Sequence, residues 1–485
     1  MENISELKNK GLKSSAWNFL NLLTNQLRNF IVTLVLARLL TPADFGLVSM
    51  AMVLNAILDF LVDFGFSNAI IRKKSVTESE TSTIFWINII VGGACTMLVF
   101  LCAPIFAWFY EMPQLESVVH VTSLSFVVSS FGTLQTALFQ RELNFRVPFK
   151  AKLVSSITSG VLGIVLALCG FGVWALVFSN LSGWLLYSAS IWVMSKWRPK
   201  LIFNPRSVTD MVSFGWKMTL STLINRIFRQ IDTLIIGKLY SAASLGLFNR
   251  AQALNNLVIE YSFSSIRSVM LPSLSKLQND NEALKYSVLK LLHVISFLTF
   301  LFAGLMYICA DDLILLLYGD KWKGAIEIFQ VIGLFSISLC LPIVFDTVMT
   351  VVNKMGMYLW TSILRSSLLL FAIPFGLYYG FMAYVWAISI IGIVKLVPNL
   401  FTTRSCIGLP IISQLASILR YICPFIAALL IWHYVAFTTN YHVANLLIKS
   451  LVYCGLYFAI NILMKNDGLQ VCKKLVISII KKRKK

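Results

Sequence analysis

LNLLTNQLRNFIVTLVLARLLTPADFGLVSMAMVLN (residues 20–55) and LSTLINRIFRQIDTLIIGKLYSAASLGLFNRAQALN (residues 220–255) align without a gap at an offset of 200. Thirteen of the thirty-six pairs are identical, including Asn25/Asn225, Thr33/Thr233, Gly46/Gly246, Ala51/Ala251 and Asn55/Asn255, and Arg38/Lys238 agree in charge. Shared apolar composition accounts for matched leucines. It does not account for polar residues and glycines that match across two apolar runs and the turn between them. The two stretches are read as copies of one helix–turn–helix unit.

The rest of the chain places that unit in lipid. Hydrophobic residues make up 58% of 485 positions and charged ones 13%, against about a quarter charged in soluble domains. A bilayer crossing takes about 20 mainly apolar residues. Apolar runs predict helices near 14–40, 43–66, 82–109, 116–139, 147–170, 172–195, 208–238, 243–275, 286–310, 324–347, 355–379, 381–402, 415–436 and 444–464. The expected fold class is thus an all-α integral membrane protein of about 14 transmembrane helices. Six helices separate the first from the seventh, an even number, so the two copies enter the membrane in the same direction. Parallel repeats of this kind build transporters with two bundles around a central site. The predicted division is a six-helix lobe at 1–205, a second at 206–405, helices 13 and 14 at 406–466, and a basic tail at 467–485.

A formal charge of +20 suits a nucleic-acid binder only when the cations share a soluble face. Here they lie between apolar runs, so no nucleic acid is expected as a partner. Placing the N-terminus inside collects Lys8, Lys10, Lys13, Arg72, Lys73, Lys74, Arg141, Arg146, Lys150, Lys152, Lys196, Arg198, Lys200 and Arg206 on the cytoplasmic side with the KKRKK tail, as the positive-inside rule requires. Asp44, Glu111, Glu116, Asp311, Asp312 and Asp320 fall outside, with Arg38, Lys238, Lys321 and Lys323. Both termini are expected in the cytoplasm. The first span is expected to be retained, because MENISELKNKGLK lacks a signal-peptide core. Nine scattered cysteines with no CxxC pair read as small buried apolar residues, with no metal site. No cofactor is expected, and the absence of a GxxxxGK[ST] loop argues against ATP hydrolysis.

Polar residues recur inside the spans at helical spacing. Span 1 carries Asn18, Asn21, Asn25 and Arg28; span 7 carries Thr222, Asn225, Arg226, Arg229 and Asp232; span 2 carries Asn55, Asp59 and Asp63; span 8 carries Asn256, Glu260, Ser264 and Arg267. A charge at the centre of a span costs about 2.5–3.5 kcal/mol on insertion scales, so such faces turn toward protein or water. Asn25, Arg28, Arg226, Arg229, Arg267 and Arg365 are the expected substrate-binding residues, because arginine forks match phosphate oxygens. Asp59, Asp63, Asp232 and Glu260 are the expected ion-coupling residues. Ion pairing among these groups, such as Arg229 with Asp232, is the competing structural role.

ARLLTPADFGLVSMA (37–51), DFGFSNAIIRKK (63–74) and FQRELNFR (139–146) resemble the Wzx-type polysaccharide exporters of the multidrug/oligosaccharidyl-lipid/polysaccharide superfamily, in particular the colanic-acid and teichuronic-acid exporter group. The resemblance runs from the N-terminus to about residue 277 and is weaker beyond. It implies two six-helix lobes around a V-shaped cavity, a bacterial inner membrane, and alternating-access flipping of an undecaprenyl-diphosphate-linked oligosaccharide for surface polysaccharide synthesis, without a catalytic residue. The expected partners are that lipid-linked substrate, membrane lipids, H+ or Na+, and other polysaccharide-assembly membrane proteins. A drug/cation antiporter of the same superfamily needs an acid-dominated cavity. A membrane polymerase or glycosyltransferase needs a large external loop with catalytic groups, whereas His120, His293, His433 and His442 stand far apart.

Overall fold

The computed structural model describes residues 30–63, 65–73, 75–435 and 441–468, with every side chain among them except those at 210, 212–222, 224, 225, 265, 267, 268 and 435. These residues are helical and contain no strand. In chain order the helices are α1 (Phe30–Leu39), α2 (Pro42–Asp63), α3 (Phe66–Arg72), α4 (Glu78–Tyr110), α5 (Pro113–Arg141), α6 (Arg146–Leu168), α7 (Val173–Met194), α8 (Thr209–Leu239), α9 (Ala242–Ser275) and α10 (Asn281–Ile308). They continue as α11 (Ala310–Tyr318), α12 (Ala325–Leu334), α13 (Ile337–Cys340), α14 (Pro342–Val351), α15 (Met355–Ser367), α16 (Ala372–Tyr379), α17 (Phe381–Val394), α18 (Leu396–Ile407), α19 (Ile411–Leu419), α20 (Ile422–Val435) and α21 (His442–Leu463).

Each predicted span from the second to the fourteenth coincides with one of these helices or with a consecutive group of them, and of the first, 14–40, residues 14–29 lie outside the described residues. Among the described residues, ten helices or consecutive runs of helices are long and apolar enough to cross a membrane, and α12 with α13 and α14 makes an eleventh, bent by 55°. The chain is a multi-pass membrane protein. α8 and α9 fall outside that set because they carry the polar stripes that the repeat predicts. Several ends differ from the sequence reading. Span 2 does not stop in a loop: Gly65, at φ 77°, turns the backbone and the chain resumes as α3. The connection after α10 is not an open acidic loop but α11, where Asp312 is buried. Of the cysteines, Cys169 and Cys423 are exposed rather than buried.

Packing divides the chain into two compact units, Met1–Gly246 and Leu247–Lys485. In the first, α4 lies along α5, α6 along α7, and α2 packs on α5 and α8. The division falls beyond residue 205 because α8 is held by α2 and α3. One contact there makes the repeat visible in three dimensions. A Cβ on Gly46 would lie 1.7 Å from the Ala242 carbonyl oxygen, and a Cβ on Gly246 1.9 Å from the Pro42 carbonyl oxygen. Pro42 and Ala242 are repeat equivalents, as are the two glycines. The first turns of α2 and α9 therefore cross with approximate two-fold symmetry, and only glycine allows the backbones this approach. Nearby, Lys238 pairs with Glu111 at 2.8 Å, joining the ends of α8 and α4.

In the second unit α10 is the hub. The buried hydroxyls of Tyr453 and Tyr457 on α21 donate to the carbonyls of Phe300 (3.0 Å) and Phe297 (2.9 Å) on α10. Tyr421 meets His293 at 3.2 Å. Helices 13 and 14 of the sequence reading are thus fastened to α10 by aromatic side chains with polar tips, which bury ring area while satisfying their hydroxyls.

Candidate functional site

The polar stripe of α2 divides by role. Asn55 is buried and donates to the Thr122 carbonyl (3.0 Å) and the Ser125 hydroxyl (2.9 Å), locking α2 on α5. Each four-residue step along a helix turns the side chain by about 40°. Asp59 and Asp63 consequently leave the α5 seam and line a cavity of about 490 Å³ inside the first unit. Asp63 accepts from the Ser67 hydroxyl at 2.6 Å and the Ser67 backbone N–H at 3.1 Å. It caps the first turn of α3 across the Gly65 break.

Arg226 enters the cavity from α8. Its Nη1 donates to the Ala56 carbonyl (2.9 Å), and the guanidinium lies over the Phe60 ring, 5.5 Å from the centroid. One edge of the fork is thus fixed, and its other N–H groups have no hydrogen-bond partner among the described residues, while Asp59 lies within electrostatic reach of its charge. α6 and α7 supply the opposite wall. The Lys152 ammonium sits over the Tyr187 ring at 5.4 Å, the Tyr187 hydroxyl meets Thr136 at 3.1 Å, and Trp184 lies one turn earlier on α7. Thr133 and Gln140 of α5 add further hydrogen-bonding groups. The cavity therefore offers two cations, two carboxylates, aromatic faces, and a set of hydroxyls and amides. Such a mixture holds a hydroxyl-rich ligand: flat apolar ring faces give it a surface to stack on, and forked polar groups fix its orientation.

Of the residues proposed from sequence, Asp59, Asp63 and Arg226 meet here. Arg229 is exposed on α8 and does not line the cavity. Arg365 belongs to the second unit. There it forms an ion pair with Asp346 at 3.0 Å, its side chain only 13% exposed, which satisfies the competing structural role. Glu260 is exposed on α9. Asn25 and Arg28 lie outside the described residues, as does the side chain of Arg267. The sequence reading missed Lys152, Trp184 and Tyr187. Lys152 was counted as a topogenic cation, although it stands nearly two turns inside α6; that depth was the available signal. Trp184 and Tyr187, at i and i+3, share a face of α7.

Residues 35–327 match the family described as polysaccharide biosynthesis protein. The chain belongs to that family. A relative in Klebsiella pneumoniae, named an uncharacterized membrane protein in the cps region, is 30% identical over 337 residues, 67% of this chain and 68% of its own length. The lipopolysaccharide biosynthesis protein WzxC of Escherichia coli strain K12 is 28% identical over 334 residues, 67% of each chain. Among solved structures, the lipid II flippase MurJ in an inward closed conformation matches with a TM-score of 0.72 at 16% identity, over 93% of this chain and 99% of that one. The family expected from the three sequence motifs is thus the one found, and the helical fold extends over nearly the whole MurJ chain.

Proposed function

We propose that the protein is a flippase that carries an undecaprenyl-diphosphate-linked oligosaccharide from the cytoplasmic to the outer leaflet for surface polysaccharide synthesis. The observation that carries this reading is a cavity lined by Arg226, Lys152, two aspartates and three aromatic rings, within helices whose other faces are apolar, in a chain of the polysaccharide biosynthesis family. A sugar needs hydroxyl partners and a flat apolar face, and a polyprenyl chain needs only lipid. Residues 1–205 and 206–405 act as the two lobes, and rocking between them exposes the substrate alternately to either side. Both termini lie in the cytoplasm of a bacterial inner membrane, as the loop cations favour.

Arg226 and Lys152 neutralise acidic groups of the substrate, with Asn25, Arg28, Arg229 and Arg267 as further contacts. Asp59 and Asp63 carry the coupling ion, H+ or Na+, with Asp232 and Glu260 as auxiliary carboxylates. Arg365, already paired with Asp346, binds substrate only when that pair opens. The protein is a transporter rather than an enzyme.

The test is flipping of a fluorescent lipid-diphosphate oligosaccharide in proteoliposomes. Wild type should flip it, and Arg226→Gln and Trp184→Ala should slow it at least about tenfold, the equivalent of about 1.4 kcal/mol. Wild-type vesicles no faster than empty ones would refute the function. Unchanged rates in both variants would refute the cavity. The two carboxylates and three rings also suit an organic cation. A drug antiporter predicts that ethidium efflux depends on Asp59 while lipid flipping is absent.

A further inference from the structure

The connection between α7 and α8, residues 195–208, takes no part in the cavity. It reads SKWRPKLIFNPRSV, with four cations, no acid, and the apolar triplet Leu201, Ile202 and Phe203 near its middle. Folding leaves that triplet uncovered: Leu201 is 92% exposed and Phe203 54%. Large apolar residues scattered singly over a surface are ordinary, but three in succession are not.

The triplet is held outward by its neighbours. The Lys200 backbone N–H donates to the Ser82 hydroxyl (3.1 Å), the Asn204 N–H to the Thr83 hydroxyl (3.0 Å), and the Lys200 carbonyl accepts from the Trp86 indole (2.9 Å). Beneath lies an aromatic floor, the buried Phe85 ring, which meets Trp86 at 5.4 Å and Trp192 and Trp197 at 5.8 Å between centroids. Pinned to α4 at 200 and 204, the chain presents residues 201–203 as a fixed ridge. Its level follows from the helix ends: α4 begins at Glu78 and α7 finishes at Met194, so the connection runs along the plane where spanning helices meet the membrane surface. Indoles collect at that plane, and three stand here. Val193, 83% exposed in the last turn of α7, carries the apolar outer surface of the helix up to the connection.

Charge names the occupant. Lys200 is neutralised by Glu78 at 2.8 Å, and Arg198 folds back onto the carbonyls of Ser195 (2.6 Å) and Trp197 (2.9 Å). Lys196 and Arg206, on either side of the triplet, are exposed, and their side chains make no hydrogen bond or ion pair among the described residues. We infer that this connection is a membrane-surface anchor selective for anionic phospholipid. Leu201, Ile202 and Phe203 enter the interfacial layer of the leaflet at the cation-rich end of the helices, and Lys196 and Arg206 bind lipid phosphates beside them in charge-assisted hydrogen bonds. A soluble polyanion has no use for the apolar ridge, and an apolar protein face has none for the two cations. An anionic leaflet uses both.

The test uses the full chain in nanodiscs of equimolar phosphatidylglycerol and phosphatidylcholine, with Phe203 replaced by the photo-crosslinker p-benzoylphenylalanine. Irradiation should attach lipid to the chain, read as a mass increment on the intact protein. Phosphatidylglycerol should be favoured at least about fivefold, the contribution of about one basic residue near an anionic surface. Lys196→Gln combined with Arg206→Gln should bring the ratio close to one while lipid adducts persist. Raising the salt to about 1 M, where the Debye length is about 3 Å, should do the same. Both substituted side chains are exposed, so the double variant should melt with the parent and a changed ratio will not reflect misfolding. Absence of any lipid adduct, equal yields of the two lipids without the charge substitutions, or a ratio unchanged by them would overturn the anchor. So would cross-linking in intact cells to a protein in place of lipid, which would mark a docking surface for a partner chain.

Discussion

Gly46→Ala is the smallest change that should disturb the crossing of α2 and α9. The added Cβ would sit 1.7 Å from the Ala242 carbonyl oxygen and 2.5 Å from its carbon, both backbone atoms with no rotamer to turn aside. Relief even to 3.0 Å, the limit of real Cβ contacts, requires the two first turns to separate by about 1.3 Å, and an ordinary contact at 3.4 Å requires about 1.7 Å. Overpacking of this kind costs about 1–3 kcal/mol, and more where backbone meets backbone. Gly246→Ala repeats the clash from the other side, at 1.9 Å from the Pro42 carbonyl oxygen. Because one separation relieves both clashes, the double variant should lose less than the sum of the singles, by well over the 0.3–0.5 kcal/mol of ordinary additivity error. Thermal unfolding in detergent, followed by tryptophan fluorescence, measures all four proteins. Each single variant should melt several degrees below wild type. A Gly46→Ala melting point equal to wild type, or additive losses, would refute the reciprocal crossing.

The buried ion pair of the second unit supplies further tests. Asp312 (4% exposed) meets Lys449 Nζ at 2.5 Å and His442 Nδ1 at 2.8 Å, so Lys449→Met strands a carboxylate and should cost about 3–5 kcal/mol, read as lowered thermal stability. Replacing both partners, as Asp312→Leu with Lys449→Met, should recover most of that loss. Burial pushes the Asp312 carboxyl up, but the bonds from Lys449 and His442 outweigh it and hold the group below its ordinary range. A depressed carboxylate stabilises the fold above its unfolded pKa of about 3.9 and ceases to do so as pH falls through its lower folded value. The melting difference between wild type and Asp312→Asn should therefore stay constant from pH 8 to pH 5 and shrink only below about pH 4. Tyr453→Phe and Tyr457→Phe each remove a hydrogen bond made to a buried α10 carbonyl in addition to its helical one; each should cost about 1 kcal/mol and speed protease cleavage around α21.

The spans and the repeat were legible because both are long-range regularities. A window of about 20 apolar residues carries its own evidence, and the 200-residue offset matched glycines whose reason, two backbones in contact, could be seen only in three dimensions. Illegible were the places where a helix breaks without leaving the membrane. Gly65 between α2 and α3 and the 55° bend between α12 and α14 sit in runs whose apolar composition is continuous. Composition reports the solvent around a segment, not the course of its axis. Asp312 was misplaced for a related reason. An acid at the end of a span reads as exposed, and its partner Lys449 lies far along the chain on a helix that sequence alone does not dock.

The candidate site was half legible, and the dividing line is physical. A stripe at i, i+4, i+8 identifies a face that cannot meet lipid, and α2 obeyed: none of Asn55, Asp59 and Asp63 is left to hydrocarbon. Periodicity does not say what the face meets, and within two turns the same stripe passes from an interhelical clamp to a cavity wall. Charge is equally ambiguous. Arg226 and Arg365 are alike in sequence, yet among the described residues one has N–H groups without a hydrogen-bond partner beside a cavity and the other is closed on Asp346. Lys152 shows the converse, a cation that topology alone explained until its ammonium was found over Tyr187. What separates a binding cation from a structural one is whether its fork is already filled. That is a property of neighbours brought together by folding, which is why Arg226→Gln should impair transport more than stability, and Arg365→Gln stability more than transport.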